Sequence, residues 1–305
     1  MMKKIIFVML ILFILGGCSL DDSINDANPN DNEGTIVITP PVKTPVAPDN
    51  ETEVDSVVTT TYGDFKISSI VKDSYSKNGD IITFTKPGEY SVSGKLSGSL
   101  VFSATIGESV TLYLNNAEIT SKDYHGIYWM SEEFKIEIKT VENTNNSITI
   151  LGDQTKLFSA IESENNIELG GSGNLVIVGN QRHAVKGSNI EIKGNGTLEI
   201  EAVKDGLHGK QVLISGGNTT ISKCTDAIQA DVNNANMKGT ITVEEGILTI
   251  NNCKRAFRAA VSLTVQQLPG LTLTINVNST NITVEAPTVN YVSGTFKVNG
   301  ANYKN

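Results

Sequence analysis

The chain has 305 residues, of which 39% are hydrophobic and 6% aromatic, and its formal net charge is −9. This length suffices for one large domain with extensions. The net charge becomes −11 when a leader containing Lys3 and Lys4 is removed. Such a negative net charge argues against nucleic acid as a partner, because phosphate binding requires a basic surface. Gly, Ile, Val and Thr dominate the sequence, and helical periodicity is nearly absent beyond the first residues. The composition therefore favours an all-β protein.

Residues 1–18 have the pattern of a bacterial export signal. Lys3 and Lys4 precede the apolar run Ile5–Leu15, which is too short for a good transmembrane helix. The sequence Leu15-Gly-Gly-Cys18 resembles a lipobox, so Cys18 is the predicted site of lipidation, including palmitate; the alternative is an ordinary signal with a chance cysteine. Acyl chains on Cys18 would anchor the exported protein to a bacterial membrane, facing the cell surface or the periplasm.

Residues 19–60 are predicted to be a linker. Asp, Asn, Pro, Thr and Glu dominate this stretch, and such a composition gives an extended or disordered tether. The folded domain is predicted over residues 61–305. Its first segment, from Tyr62 to about Gly98, is expected to cap the first unit of a repetitive fold, and its tail, Asn281–Asn305, is expected to close the other end.

A short phrase recurs six times in the folded part. In each copy a small residue precedes an apolar one, and the intervals between the small residues are 34, 24, 22, 21 and 29 residues. A near-constant period of this size is typical of a solenoid. The six copies are Gly126-Ile127, Ala160-Ile161, Ala184-Val185, Gly206-Leu207, Ala227-Ile228 and Ala256-Phe257.

Two alternating apolar pairs, separated by a Gly-rich or polar turn, follow most copies of the phrase. Alternation places one set of side chains inward, so each repeat predicts two or three short strands and forms one coil of a β-helix. Equivalent inward residues, such as Ile200, Ile221 and Ile250, should stack about 4.8 Å apart. The small residue of the phrase is expected to let the chain turn a tight corner.

The order and spacing of these motifs resemble a known family. Lys204-Asp-Gly-Leu-His208 is followed by Val212-Leu-Ile214, Gly216-Gly217 and Thr219-Thr-Ile221, and Thr225–Asp231 repeats the phrase. This pattern is similar to that of secreted clostridial-type carbohydrate-binding domain proteins over about residues 80–280. The resemblance implies a right-handed parallel β-helix related to pectate lyases, a pectic polysaccharide as ligand, and calcium bound at turns.

The calcium implied by this resemblance would need six to eight oxygen ligands. Asp205 and Asp226 share a repeat position, so they should stack, and Asp231 opens an inserted loop of the kind that carries function on solenoids. Asp205, Asp226 and Asp231 are therefore the predicted calcium site. The family has a paired acid before the small residue, whereas this chain has Lys204 and Arg255 nearby. The alternative is a salt-bridge ladder in which these two cations neutralise the aspartates.

The predicted polysaccharide ligand suggests aromatic and basic contacts. Tyr128 and Trp129 are the candidate rings for stacking on sugars, with burial of alternate members of this stretch as the alternative. Lys204, Arg255 and Arg258 are the candidate basic residues, because an acidic glycan must overcome an acidic protein surface.

The histidines and the later cysteines are interpreted as structural. His125, His183 and His208 lie in three coils and show no zinc-ligand spacing, so each is expected to be a solvated turn residue. Cys224 and Cys253 lie three residues before the small residue of their phrases and should stack. That spacing suits a disulfide in an oxidising compartment, and two buried thiols in a column are the alternative.

The sequence as a whole predicts a non-catalytic, surface-exposed lipoprotein that binds a polysaccharide, with calcium assisting. The first alternative is a pectate-lyase-like enzyme with Lys204, Arg255 or Arg258 as the base. The second is a structural or adhesive spacer. No Ser-His-Asp set or carboxylate pair typical of a hydrolase is identifiable.

Overall fold

A computed structural model of the chain describes residues 56–152, 155–232 and 239–303. All of them belong to one compact unit, Glu53–Asn305. The predicted leader with Cys18, and residues 19–55 of the linker predicted over 19–60, lie outside the described residues. The described part contains strands and turns but no helix, so it offers no helix able to cross a membrane.

The described residues form 27 strands. The first nine are β1 Val58–Tyr62, β2 Phe65–Ser69, β3 Tyr75–Asn78, β4 Ile81–Phe84, β5 Gly88–Ser97, β6 Ser99–Phe102, β7 Val110–Ser121, β8 Ile127–Trp129 and β9 Ile136–Thr140. The next nine are β10 Asn145–Ile150, β11 Ile161–Ser163, β12 Ile167–Gly171, β13 Asn174–Gly179, β14 Val185–Lys186, β15 Asn189–Ile192, β16 Thr197–Ala202, β17 Asp205–Gly209 and β18 Gln211–Ser222. The last nine are β19 Asp226–Ala230, β20 Thr240–Asn251, β21 Arg255–Ala259, β22 Ser262–Val265, β23 Leu273–Asn278, β24 Ile282–Glu285, β25 Thr288–Tyr291, β26 Thr295–Val298 and β27 Ala301–Asn302.

Apart from antiparallel pairs at the two ends, the strands stack in parallel into a β-helix of about eight turns. Each repeat phrase forms one strand of a ten-stranded sheet, in the order β24-β21-β19-β17-β14-β11-β8-β6-β4-β3. The alternating pairs that follow each phrase form a seventeen-stranded sheet. The all-β fold class and the parallel β-helix predicted from the repeat are confirmed.

Columns of inward side chains form the core. Ile200, Ile221 and Ile250 are in register on successive coils, as the repeat predicts, and all three are buried. A second column runs along the ten-stranded sheet from Ile82 to Phe257. Since each residue rests on its counterpart above and below, stability accumulates coil by coil. The intermediate members of the second column are Leu100, Ile127, Ile161, Val185, Leu207 and Ile228.

The two ends differ in detail from the expected caps. Antiparallel pairs β1–β2 and β2–β5 cover the first coil, but β4 already runs parallel to β6 and β5 to β7. The coils therefore begin inside the segment that the sequence predicts as a cap. At the other end β24, β25 and β26 still add in parallel, and only β27 pairs antiparallel.

The small residue of the repeat phrase does not serve a tight corner, contrary to the expectation. Neither Gly126 nor Gly206 has a positive φ, so neither position needs the conformational freedom of glycine. The reason for a small residue is steric. A Cβ added to Gly206 would lie 2.5 Å from Cγ2 of Ile221 and 2.7 Å from the carbonyl oxygen of Ala227.

Cys224 and Cys253 stack on consecutive coils and are joined in a disulfide, with Cα atoms 4.6 Å apart. Of the two alternatives that the sequence leaves open, the structure contains the bonded pair. The bond ties the coil before residues 233–238 to the coil after them.

Candidate functional site

The outward side of the ten-stranded sheet carries two adjacent rows of mostly polar side chains, which together we call the polar face. The first row precedes the small residues of the repeat, and the second row follows the inward apolar residues. The first row is His125, Ser159, His183, Asp205, Asp226 and Arg255. The second row is Tyr128, Glu162, Lys186, His208, Gln229, Arg258 and Glu285.

Parallel register aligns these residues along the axis of the helix. Tyr128 and Arg258 are separated by five coil-to-coil steps of the second row. At one strand spacing per step, the distance between them is about 24 Å. The polar face is therefore long enough for an extended ligand.

An aromatic cluster occupies one end of the polar face. The rings of His125 and Tyr128 stack with centroids 4.8 Å apart, and Phe158 packs edge-on against His125 at 5.1 Å. Tyr124 lies 5.4 Å from Phe158. Tyr124, Tyr128 and Phe158 are each half-buried, so part of every ring is open to a ligand.

Hydrogen bonds fix the orientation of this cluster. The Tyr128 hydroxyl donates to Oε1 of Glu164 at 2.7 Å, and burial together with this carboxylate raises the pKa of Tyr128. The Ser159 hydroxyl donates to Glu162, which also pairs with Lys186. Burial alone would raise the pKa of Glu162, but Lys186, Ser159 and His125 outweigh it and lower the pKa. Glu162 is therefore an ionised anchor between the aromatic cluster and the next coil.

Two arginines occupy the other end. Arg255 binds Asp226 through two hydrogen bonds, Nε to Oδ1 at 2.5 Å and Nη2 to Oδ2 at 2.8 Å. Arg258 lies farther off, with Nη1 3.6 Å from Asp226 and Nε 3.7 Å from Glu285. Its side chain is 40% exposed and borders an open groove also lined by Asp231. Since its carboxylate contacts are long, Arg258 retains donors for a ligand.

Two of the predicted ligand-binding residues do not belong to this face. Trp129 is fully buried, its Nε1 donates to the carbonyl of Phe134, and its ring packs against Phe102. The prediction that Trp129 stacks on sugars is therefore wrong, because its side chain faces the core. Lys204 is exposed but takes no part in neutralising Asp205, whose partners are two histidines.

The expectation that the histidines are solvated turn residues is wrong for two of them. His183 is fully buried and His125 is 9% exposed. His183 and His208 lie against each other with ring centroids 4.4 Å apart, and both approach Oδ2 of Asp205. Burial alone would raise the pKa of Asp205, but the two imidazoles outweigh it and hold the pKa below its usual range. Burial lowers the pKa of His183.

The carboxylates of the predicted calcium site are engaged by other side chains. Asp205 and Asp226 stack as expected, but both oxygens of Asp226 are bonded to Arg255, and Oδ2 of Asp205 faces two imidazoles. Oδ2 of Asp231 accepts a hydrogen bond from Gln229. Calcium requires six to eight oxygen ligands, and these contacts already occupy oxygens of all three carboxylates. The calcium site of Asp205, Asp226 and Asp231 stays a prediction.

The fold and this face define a parallel β-helix protein with a continuous polar surface along one sheet. A model of the carbohydrate-binding domain-containing protein family matches residues 78–301, which is most of the chain. The chain therefore belongs to that family.

A solved structure extends the comparison of folds. The polysaccharide lyase-like protein from C. thermocellum, studied as a gadolinium derivative, matches with a TM-score of 0.63 at 24% identity, covering 73% of this chain and 91% of that one. At this identity the likeness shows the fold alone. No curated protein matches the chain.

Proposed function

We propose that this chain is a non-catalytic polysaccharide-binding protein whose ligand lies along the polar face. The observation that carries the proposal is the continuity of that face, with half-buried aromatic rings at Tyr128 and a partly free guanidinium at Arg258, about 24 Å apart. Aromatic rings offer flat apolar surfaces and the arginine offers several donors. The family to which the chain belongs supports carbohydrate as the ligand class.

An acidic, pectic polysaccharide is the finer form of the proposal. Of the cations of the polar face, Lys186 is paired with Glu162 and Arg255 with Asp226, so Arg258 is the charge-assisted partner for the carboxylates of a glycan. The net charge of −9 over the whole chain opposes an acidic ligand, so the attraction must come locally from Arg258.

The ion pairs that Arg255 and Arg258 form with carboxylates favour a binding function over lyase chemistry. A general base needs a pKa near the working pH. The hydrogen bonds from Arg255 to Asp226 raise the pKa of Arg255, and Arg258 lies between two carboxylates. Lys204 is exposed and has no acidic residue placed against it among the described ion pairs. Because its pKa is raised, Arg255 is not suited to abstract a proton.

We also propose that a lipid on Cys18 anchors the protein to a membrane. Lipidation of Cys18 would hold the chain at a bacterial membrane with the β-helix on the exported side. Mass spectrometry of the N-terminal peptide tests this, and a peptide with an unmodified Cys18 would contradict it.

The first prediction concerns retention on insoluble polygalacturonate. Tyr128→Ala and Arg258→Ala should each weaken binding about tenfold, because each removes one anchor at one end of the face. Tyr113→Ala and Lys95→Ala are the matched controls, since both residues lie on the seventeen-stranded sheet, and they should bind like the wild type. Affinity measured by calorimetry should rise with the length of the oligosaccharide.

The same assay separates the alternatives. Retention without an ultraviolet-absorbing product supports the binding protein, whereas accumulation of such a product indicates a lyase. Absence of retention across a panel of acidic and neutral glycans would contradict the proposal and favour a spacer. A parallel series with a chelator tests the calcium prediction, since binding that needs calcium would be lost.

A further inference from the structure

We propose that His183, Asp205 and His208 form a binding site for a divalent transition metal such as Zn²⁺, in the middle of the polar face. The three residues come from two consecutive coils, because His183 and Asp205 occupy the same position of the repeat and His208 follows Asp205 by three residues. One ligand atom from each lies within 4.8 Å of the others. The inference does not depend on polysaccharide binding.

The distances match a metal coordination sphere. Nδ1 of His183 lies 3.1 Å from Oδ2 of Asp205, and Nδ1 of His208 lies 2.9 Å from the same oxygen. Ligand atoms of a tetrahedral Zn²⁺ site, with bonds near 2.0–2.1 Å, are separated by about 3.3 Å. Both separations from Asp205 are therefore close to those of a zinc site, and the ligand atoms of all three residues lie within 4.8 Å of one another.

Three polar atoms of the cluster lack hydrogen-bond partners in the described part of the chain, although Nδ1 of His208 and Oδ2 of Asp205 share a hydrogen bond. Among the described residues, neither ring nitrogen of His183 has a hydrogen-bond partner, and its approach to Asp205 lacks hydrogen-bonding geometry. Oδ1 of Asp205 is also without a partner. Both side chains are at most 1% exposed, so bulk water does not satisfy them. Buried polar atoms without partners are costly, and one cation would satisfy the nitrogens and the carboxylate together.

The chemistry of the donors selects the kind of metal. Two imidazole nitrogens and one carboxylate oxygen suit Zn²⁺ and similar ions, whereas calcium takes oxygens. His208 presents Nδ1 to the cluster, and its Nε2 lies 3.6 Å from Asp231, an outer carboxylate that would orient the ring. His208 is 19% exposed, which leaves the outer side of the site accessible.

The neighbouring charges permit a cation. Asp205 supplies one negative charge to the cluster, and the adjacent Asp226 is neutralised by Arg255. Lys186, the neighbour of His208 in the second row, is paired with Glu162. No described cation forms an ion pair with Asp205 apart from the histidines, so its charge is available.

The second prediction tests this site on the full chain after removal of metal by a chelator. Calorimetric titration should show one tight equivalent of Zn²⁺ that excess Ca²⁺ does not displace, and Co²⁺ should give the visible absorption of a low-symmetry site. His208→Gln and Asp205→Asn should each weaken Zn²⁺ binding by at least about tenfold. Zn²⁺ should also raise the midpoint of thermal unfolding of the wild type but not of His208→Gln.

His125→Gln is the matched control, because His125 has the same repeat position as His183 but its Nδ1 faces Glu162 and the backbone of Ser159, with no second histidine beside it. It should bind Zn²⁺ like the wild type. Circular dichroism shows whether each variant is folded, and His208→Gln alters a partly exposed side chain, so it should fold. A folded wild type that binds no Zn²⁺, or binds only Ca²⁺, would overturn the assignment. Equal binding by folded His208→Gln, or equal loss in His125→Gln, would do the same.

Discussion

Burial decides what each charged residue of the polar face can do. The side chain of Asp226 is 1% exposed and is held by Arg255, which is itself 16% exposed. Arg258, at 40% exposed, touches the same carboxylate only at 3.6 Å. Arg255 is therefore a structural partner and Arg258 is the residue with capacity for a ligand, although the two are three positions apart in the same strand.

The third prediction follows from this difference. Arg255→Met should lower the free energy of unfolding by roughly 3 kcal/mol, because it leaves the buried charge of Asp226 without its main partner. Urea unfolding measures the change. Lys95→Ala is the control, since the pair of Lys95 with Glu118 is exposed on both sides and contributes little. If Arg255→Met lowers the free energy of unfolding no more than Lys95→Ala does, the buried charge of Asp226 does not need Arg255 for its stabilisation.

At the scale of the strand, the repeat phrase reflects a steric requirement for a small inward residue next to an apolar core residue. The small residue faces inward beside the carbonyl of the next coil, and the apolar residue after it joins the core column. At Gly126 an added Cβ would lie 2.7 Å from the carbonyl oxygen of Ala160, much as it does at Gly206. The first- and second-row side chains then point outward on either side of this inward pair.

The fourth prediction tests the steric requirement for a small residue in the repeat phrase. Gly206→Ala should destabilise the fold by about 1–3 kcal/mol, because its Cβ would overlap Ile221 and the carbonyl of Ala227. Gly107→Ala is the control, since a Cβ there meets no atom within 4 Å. Thermal or urea unfolding of both variants measures the difference. Equal stability of the two would mean that the small residue is not required for steric reasons.

Across the whole molecule, stacking in register places like charges on top of one another. Glu137, Glu168 and Glu191 are aligned on three successive coils of the seventeen-stranded sheet. Lys135 bridges Glu137 and Glu168, at 2.5 and 2.6 Å, and Lys139 and Lys193 add further pairs. The repulsion of a carboxylate column is thus offset by lysines between its members. The hydrogen bonds that Lys135 and Lys139 donate to Glu137 lower its pKa to about 2.

The fifth prediction is the pH dependence of this column. Because the folded pKa of Glu137 lies below its ordinary value of 4.5, its contribution to stability is present above pH 4.5 and lost as the pH falls toward 2. Glu137→Gln should therefore cost on the order of 1 kcal/mol at pH 7, and the difference from the wild type should vanish near pH 2. Urea unfolding over this range measures it. A difference that does not change with pH would contradict the assignment.

The fold could be predicted because a solenoid converts sequence period into spatial register. The spacing of Gly206, Ala227 and Ala256 was enough to place Ile221 on Ile250 and Asp205 on Asp226. The start of the coils inside the expected cap was not predictable, because parallel and antiparallel pairing share the same alternating pattern.

The site was predicted only in part, since the sequence fixes which residues share a row but not how deeply each is buried. The sequence alone determined the coil and the stacking of the aspartates and of the cysteines. Lipidation of Cys18 stays a prediction. The tertiary structure alone decided that Trp129 faces the core, that Asp226 is bonded to Arg255, and that two histidines converge on Asp205. The direction and the partners of a side chain depend on residues of the adjacent coils, which are 20 to 30 positions away in the chain. The repeat period shows which residues are adjacent, but not which atoms of those residues come into contact.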